Sequence, residues 1–430
     1  MEQAQPRPGS FWSRFDLRDV RFGRNARLFL LSTLIDGIGF SGSQLFFNFY
    51  ILSLGHSREF LGLVNSIPFF AGLVLGLPLG ALSDRIGHRR AMLLGLGLMF
   101  SMFAVVATTS STAILVVAIA LYGMGSTLYY LSTTPFMAGV SSTEDRPYLF
   151  SLNVALQTLS SAAGNLLAGF LPGWLGAMLA VPVDGPQVYR SVLLLSLAAG
   201  SLSIVPLILM RDQKAPAGAS AQMTSVRKVV RALALPVVRK LALPNLLIGI
   251  GAAILIPYMN VFFKERFGLP DSMLGLLFGL SAILTAAGTL LGPRLAERLG
   301  SKIRAVVFTQ GLSIVFLLLL GFWPGLIVAA GAHLIRAALM NMAAPLYSAY
   351  GMERAPFDQR ALVSSVLYLT WQTGWAFGPY VSGFVQERWG FGPLFVTTSI
   401  VYVLAVTATW LFFHSGEEAA GPAAAAPRNA

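Results

Sequence analysis

Twelve predominantly apolar stretches divide this chain, and each is long enough to cross the roughly 30 Å hydrocarbon core of a bilayer as a helix. They fall at 28–54, 60–82, 91–108, 112–140, 148–171, 191–210, 241–263, 272–293, 305–322, 324–350, 361–386 and 391–413. Membrane β-strands would be about 10 residues long with alternating polarity. These runs are longer and uniformly apolar, so helices are expected. Only 11% of the 430 residues are charged, against about 25% in a soluble domain. A cytosolic enzyme, a coiled coil and a disordered chain are thereby excluded. The chain has no cysteine, so thiolate metal sites and cysteine nucleophiles are excluded as well.

The net charge of +12 would fit nucleic acid in a soluble protein, but the basic residues lie mostly between the apolar runs. With the N-terminus placed in the cytoplasm, 24 of the 30 Lys and Arg residues fall on the cytoplasmic side. Five fall on the other side: Arg58, Arg190, Lys264, Arg266 and Arg388. Arg336 lies inside a run. This positive-inside bias supports the span count, and anionic headgroups suffice as partners for the basic loops. Both termini are expected in the cytoplasm, in a cell inner membrane. Residues 1–27 form an Arg- and Pro-rich tail without the apolar core of a signal peptide. Its Phe11, Trp12 and Phe15 could lie on the membrane surface. Residues 415–430 are Ala/Pro-rich and are expected to be disordered.

The longest break, 211–240, separates a six-run segment at 28–210 from a second at 241–414. Within it Val226, Val229, Val230 and Leu233 share one face of a possible surface helix. The segments repeat one another. At a shift of 213, Gly55 meets Gly268, Gly62 meets Gly275, Asp84 meets Glu297, Arg85 meets Arg298, Gly87 meets Gly300 and Arg89 meets Lys302. At a shift of 214, Arg146 meets Arg360, Gly164 meets Gly378 and Gly169 meets Gly383. Repeats six spans apart keep the same orientation, which implies two parallel six-helix bundles.

The loop after the second run reads Gly80-Ala-Leu-Ser-Asp84-Arg85-Ile-Gly87-His-Arg89-Arg90. It resembles the signature of the major facilitator superfamily, and Leu295-Ala-Glu297-Arg298-Leu-Gly300-Ser-Lys302 is a decayed copy. The resemblance implies a central cavity, alternating access by rocking of the halves, and helices 1, 4, 7 and 10 around the cavity with 2, 5, 8 and 11 beside them. Physically, a short turn between helices favours Gly, and Asp84 can accept from helix amides or a cation. Asp84 with Arg146, and Glu297 with Arg360, are expected to latch the cytoplasmic side when the protein faces out. Arg85, Arg89, Arg90 and Arg298 either share in that gate or only hold topology.

Ionisable residues within spans are costly and therefore functional candidates. Asp36 in span 1 is the candidate proton carrier. Arg336 in span 10 stays charged and is expected to pair with Asp36 or with an anionic solute. His333, one turn earlier, is a possible second titrating group. Polar and aromatic stripes add Tyr122, Ser126, Tyr129 and Thr133 in span 4, Asn153, Gln157, Ser160 and Gly164 in span 5, and Tyr368, Trp371, Gln372 and Trp375 in span 11. Asn48 and Asn260 are near-equivalents in the repeat. Such groups suit an amphipathic or ring-bearing ligand, or simply bond helix to helix. Gly37-x-Gly39-x-x-Gly42 lies within a helix and reads as packing, not as a dinucleotide fingerprint. Gly374-x-x-x-Gly378-Pro379-x-x-x-Gly383 resembles the Gly/Pro motif of superfamily antiporters, which normally lies in span 5. The span-4 Arg of proton-coupled exporters is replaced by the region of Gly123.

No P-loop or metal-ligand spacing occurs. The expected function is therefore secondary active transport of a small organic solute, without a cofactor or enzymatic activity. Proton- or cation-coupled efflux of amphipathic compounds or metabolites is the first expectation, with H+ as the coupling ion and a monomer in the bilayer. Uptake of a sugar or organic anion is the rival. A transporter-shaped receptor or scaffold is the alternative of another class.

Overall fold

The structure, a computed structural model, describes residues 22–142, 144–211, 235–355 and 360–418. The proposed surface helix around Val226, the aromatics Phe11, Trp12 and Phe15, and the end of the C-terminal tail lie outside the described residues. The described chain is helical. The first half comprises α1 (Arg24–Ser53), α2 (Arg58–Ile86), α3 (His88–Thr108), α4 (Thr112–Val140), α5 (Arg146–Leu179) and α6 (Pro186–Leu209). The second half comprises α7 (Pro236–Phe267), α8 (Asp271–Arg298), α9 (Lys302–Phe322), α10 (Leu326–Arg354), α11 (Arg360–Trp389) and α12 (Gly392–Glu418). Every expected span contains a helix.

Eleven of these are long and apolar enough to cross a membrane. The exception is α11, which is as long as its neighbours at 30 residues but carries Tyr368, Gln372 and several Ser and Thr residues that dilute its apolar character. Helix α5 runs eight residues beyond the expected end at 171, straight through Pro172. Proline is tolerated in a membrane helix where neighbours satisfy the freed backbone groups. Two helices are broken. α6 is interrupted between Ser201 and Ile204, where Ser32 Oγ donates to the Ser203 carbonyl at 2.8 Å. α7 is interrupted by one 3-10 turn at Ile256–Tyr258, which contains Pro257.

The packing repeats under a shift of six helices. α1 packs on α5 and α6 as α7 packs on α11 and α12, while α2 and α3 meet α4 as α8 and α9 meet α10. The halves join along two related seams, α2 on α11 and α5 on α8. Glycines that mark the sequence repeat form both seams. A Cβ on Gly62 would lie 2.6 Å from the Pro379 carbonyl and 3.1 Å from the Gly383 Cα. A Cβ on Gly275 would lie 2.6 Å from the Asn165 carbonyl and 2.6 Å from the Gly169 Cα. Small residues let helix backbones approach this closely in a bilayer, where apolar burial does not drive association. Gly37, Gly39 and Gly42 likewise face Ser160, Gly200 and Ser196 of α5 and α6.

Three apolar cores result. One contains residues of both halves, including Phe46, Tyr50, Tyr258, Phe262 and Phe263, at the end carrying the α1–α2 and α7–α8 connections. The other two belong to one half each, around Phe29 and Met92 and around Leu241 and Tyr350, at the opposite end. The halves are thus fused at one end, here termed the sealed end. They are separately cored at the other, the basic end, which carries the Asp84 and Glu297 loops. Large apolar side chains such as Val117, Leu167, Phe170, Leu290 and Leu411 are exposed on the perimeter, as lipid contact requires.

Candidate functional site

Between the halves lies a branched cavity. Its first-half lobe, about 440 Å³, is lined by Phe40, Gln44, Asn65, Tyr122, Ser126, Tyr130, Tyr368 and Gln372, among others. A smaller lobe of about 200 Å³ holds Asp36, Phe40, Tyr129, Tyr130, Thr133 and Gln157. The second-half lobe, about 530 Å³, is lined by Gln310, Arg336, Asn341, Tyr368, Trp371, Trp375 and Tyr402, among others. A fourth, about 280 Å³, reaches toward the sealed end past Asn48 and Asn260. Shared lining residues (Phe40, Tyr130, Tyr368 and Trp375) connect the lobes.

Asp36 is 7% exposed, and its Oδ1 has no hydrogen-bond partner. Arg336 is 5% exposed, with Nε and Nη1 unpartnered. The expected Asp36–Arg336 ion pair is not formed: the two line lobes that share no residue. Among the described residues each half thus contributes one charged side chain to the cavity lining, of opposite sign, from the non-equivalent helices α1 and α10. Tyr122, Tyr129, Gln157, Tyr368, Trp371, Gln372 and Trp375 all line the cavity. Trp375 packs against Phe69 at 5.0 Å and lies 6.1 Å from Trp371. His333 is elsewhere. It is 4% exposed, between the rings of Phe263 and Phe278 at 5.4 Å each, and lines none of the four lobes. In α5, Asn153 accepts from Thr33 Oγ1 at 3.1 Å, so that member of the stripe bonds helix to helix.

Asn48 and Asn260 seal the cavity floor. Asn48 Nδ2 donates to the Pro257 carbonyl at 2.6 Å and to Asn260 Oδ1 at 3.0 Å. Asn260 Nδ2 donates to the Leu45 carbonyl at 2.7 Å. The two amide-to-carbonyl bonds exchange under a single shift of 212 residues, so this pair of contacts is reciprocal across the internal two-fold. Beyond it lies a charged rim. Lys264 Nζ contacts Asp271 Oδ1 at 2.5 Å, Asp184 Oδ1 at 2.6 Å and the Tyr189 hydroxyl at 2.7 Å. Arg58 makes a forked contact to Glu265 at 2.8 and 2.9 Å, and its backbone amide donates to Glu387 at 2.6 Å. Arg388 reaches Glu59 at 3.4 Å. The hydrogen bond from the Lys264 ammonium holds the Asp184 carboxyl below the usual carboxylate range.

At the basic end, no ion pair among the described residues joins the two halves. Among the described residues Asp84 and Glu297 have no ion-pair partner. Arg146 Nη2 donates to the Ala138 carbonyl at 3.1 Å, and Arg89 donates to the Leu207 and Ile208 carbonyls at 3.1 and 2.7 Å. Both cap helix C-termini. Arg85, Arg90, Arg298 and Arg360 are exposed. Lys302 pairs with Glu353 within the second half. Gly87 and Gly300 hold φ of +89° and +66°, conformations that disfavour a Cβ.

Gln44, Tyr130, Asn245, Gln310, Asn341 and Tyr402 line the cavity without having been singled out from sequence. Spacing alone could have found Gln44, since Asp36, Phe40, Gln44 and Asn48 form one i, i+4 stripe. Among the described residues no group of three His, Asp or Glu side chains is placed to hold a metal ion.

The profile of the Major Facilitator Superfamily matches residues 29–379, and again 241–429. The chain belongs to the Major Facilitator Superfamily. It is a multi-pass membrane protein of a transporter family, and not an enzyme. It is 28% identical over 171 residues to a Deinococcus radiodurans protein named as a sugar efflux transporter, spanning 38% of this chain and 43% of that protein. It is 23% identical over 410 residues to the multidrug resistance protein MdtG of Dickeya zeae, spanning 92% and 96%. Among solved structures, a bacterial homologue of the human lysosomal transporter Spinster, inward-facing and unoccupied, superposes with a TM-score of 0.73 at 17% identity over 91% of this chain and 97% of that one. The nucleoside transporter NupG gives 0.71 at 13% identity over 90% and 99%. These likenesses are of fold.

Proposed function

We propose that this superfamily member is a secondary active transporter that exports amphipathic organic compounds or metabolites by alternating access, coupled to proton entry through Asp36. The observation that carries the reading is the cavity between the halves, closed by matched contacts at one end and, among the described residues, without matching bridges at the other. The Lys and Arg distribution supports a cytoplasmic basic end, and on that reading the present conformation is the inward-facing one.

Among the described residues Asp36 is the one carboxylate lining the cavity. An uncompensated buried charge is costly, and a bound proton removes that cost. Proton occupancy can therefore be exchanged as access alternates. The relatives named for sugar efflux and multidrug resistance support export as the direction. The test is purified protein in liposomes with an internal pH dye. Solute-dependent proton movement is expected, and Asp36→Asn is expected to reduce it at least tenfold while leaving solute binding intact. Full proton movement in the Asp36→Asn protein would refute the coupling. Arg336 favours a second reading, uptake of an organic anion, and solute gradients imposed in each direction separate the two.

A further inference from the structure

We propose that Arg336 is the anion-binding group of the solute site, and that the second-half lobe takes an amphipathic organic carboxylate with its apolar body along Trp371 and Trp375. The inference deepens the transport reading above and rests on it.

The lobe is rich in unmet donors and poor in negative charge. Arg336 Nε and Nη1, Trp375 Nε1 and the Tyr402 hydroxyl are all buried, all without partners, and all on residues that line this one lobe. Buried donors are rarely left unpaired in a native protein. Among the described residues nothing in the second half supplies the missing charge. Glu265 is held by Arg58, Asp271 by Lys264 and Glu353 by Lys302. Glu387 accepts from the Arg58 amide, and Glu297 is exposed at the basic end. Asp36 serves the opposite lobe.

A guanidinium presents a planar fork that matches a carboxylate, and a fixed positive charge repels a cationic ligand. The two indoles supply flat apolar surface beside it, and about 530 Å³ accommodates a small organic molecule. The charge selects the anion and the indoles select an apolar body.

The test uses the full-length protein, purified in a zwitterionic detergent, and three matched probes: 4-nitrobenzoate, 4-nitrobenzamide and 4-nitrobenzylamine. Each is followed by quenching of tryptophan fluorescence, with Trp371→Phe and Trp375→Phe locating the signal. Saturable quenching by the benzoate is expected, with the amide at least tenfold weaker and the amine inactive. Arg336→Gln is expected to weaken benzoate at least tenfold and to leave the amide unchanged. Should Arg336→Gln fail to fold, Arg336→Lys keeps the charge but not the fork, and is expected to weaken benzoate while sparing the amide. The proposal is overturned by unchanged benzoate binding in these variants, by preference for the amine or amide, or by displacement with phosphatidylglycerol. Absence of saturable benzoate quenching up to about 10 mM overturns it equally.

Asp36→Asn separates this proposal from proton coupling. Anion binding with no proton movement refutes the coupling alone. Proton-coupled movement of the amine without anion binding refutes the Arg336 assignment alone.

Discussion

At the scale of single residues, the sealed end depends on backbone proximity that side chains would destroy. Adding a Cβ at Gly62 or Gly275 places it 2.6 Å from a carbonyl oxygen of the other half. Overpacking of this kind costs about 1–3 kcal/mol, and here only the sealed conformation bears that cost. Gly62→Ala and Gly275→Ala are expected to shift the population toward opening of the sealed end, read as longer distances between spin labels placed across it. Equal distance distributions in variant and parent would contradict this. Asn48→Ala and Asn260→Ala should act in the same direction and more weakly, because interhelical hydrogen bonds in membranes average about 0.6 kcal/mol. Sequence spacing made the four seam glycines legible as repeat marks, but it could not say that each pairs with a glycine of the other half. The repeat fixes equivalence, whereas pairing depends on how two equivalent bundles meet.

At the scale of elements, the charged rim ties the α5–α6 connection and α2 to α7, α8 and α11. Its basic members, Arg58, Lys264 and Arg388, read in sequence as a minority left over from the topology count. Their acidic partners are mostly far away along the chain, so no local pattern announces the rim. Lys264→Ala removes the cation shared by Asp184 and Asp271 and is expected to loosen the sealed end, seen as faster proteolysis of the α5–α6 connection. The pH dependence has a definite sign. A carboxyl whose folded value is depressed contributes above its unfolded value, about 3.9, and loses that contribution as pH falls through the folded value. The Asp184 link should hold unchanged from about pH 5 to 8 and weaken only in stronger acid. Loosening at pH 6 would count against it. The polar stripes show the other limit of sequence: on α5, Asn153 serves packing while Gln157 lines the cavity, and helical periodicity alone does not separate them.

At the scale of the whole molecule, span number, duplication and the interior position of Asp36 and Arg336 were legible, because a bilayer imposes length and apolarity on every crossing. The separation of those two charges into different lobes was not, because it depends on the rotation of α1 and α10 within their bundles. The absence of cysteine gives a clean check of topology. Arg85→Cys and Arg298→Cys should react with an impermeant maleimide from the same face of the membrane, and Glu59→Cys from the opposite face. Reaction of the first two from opposite faces would dismantle the parallel duplication. The 3-10 turn at Ile256–Tyr258 makes α7 mechanically unlike α1. α1 is an unbroken rod, while its counterpart α7 has a soft joint at the same depth, and a mid-helix 3-10 turn is a common place for bending. Rocking should therefore leave α1 straight and bend α7, so that the tip of α7 swings like a jointed finger against a stiff thumb.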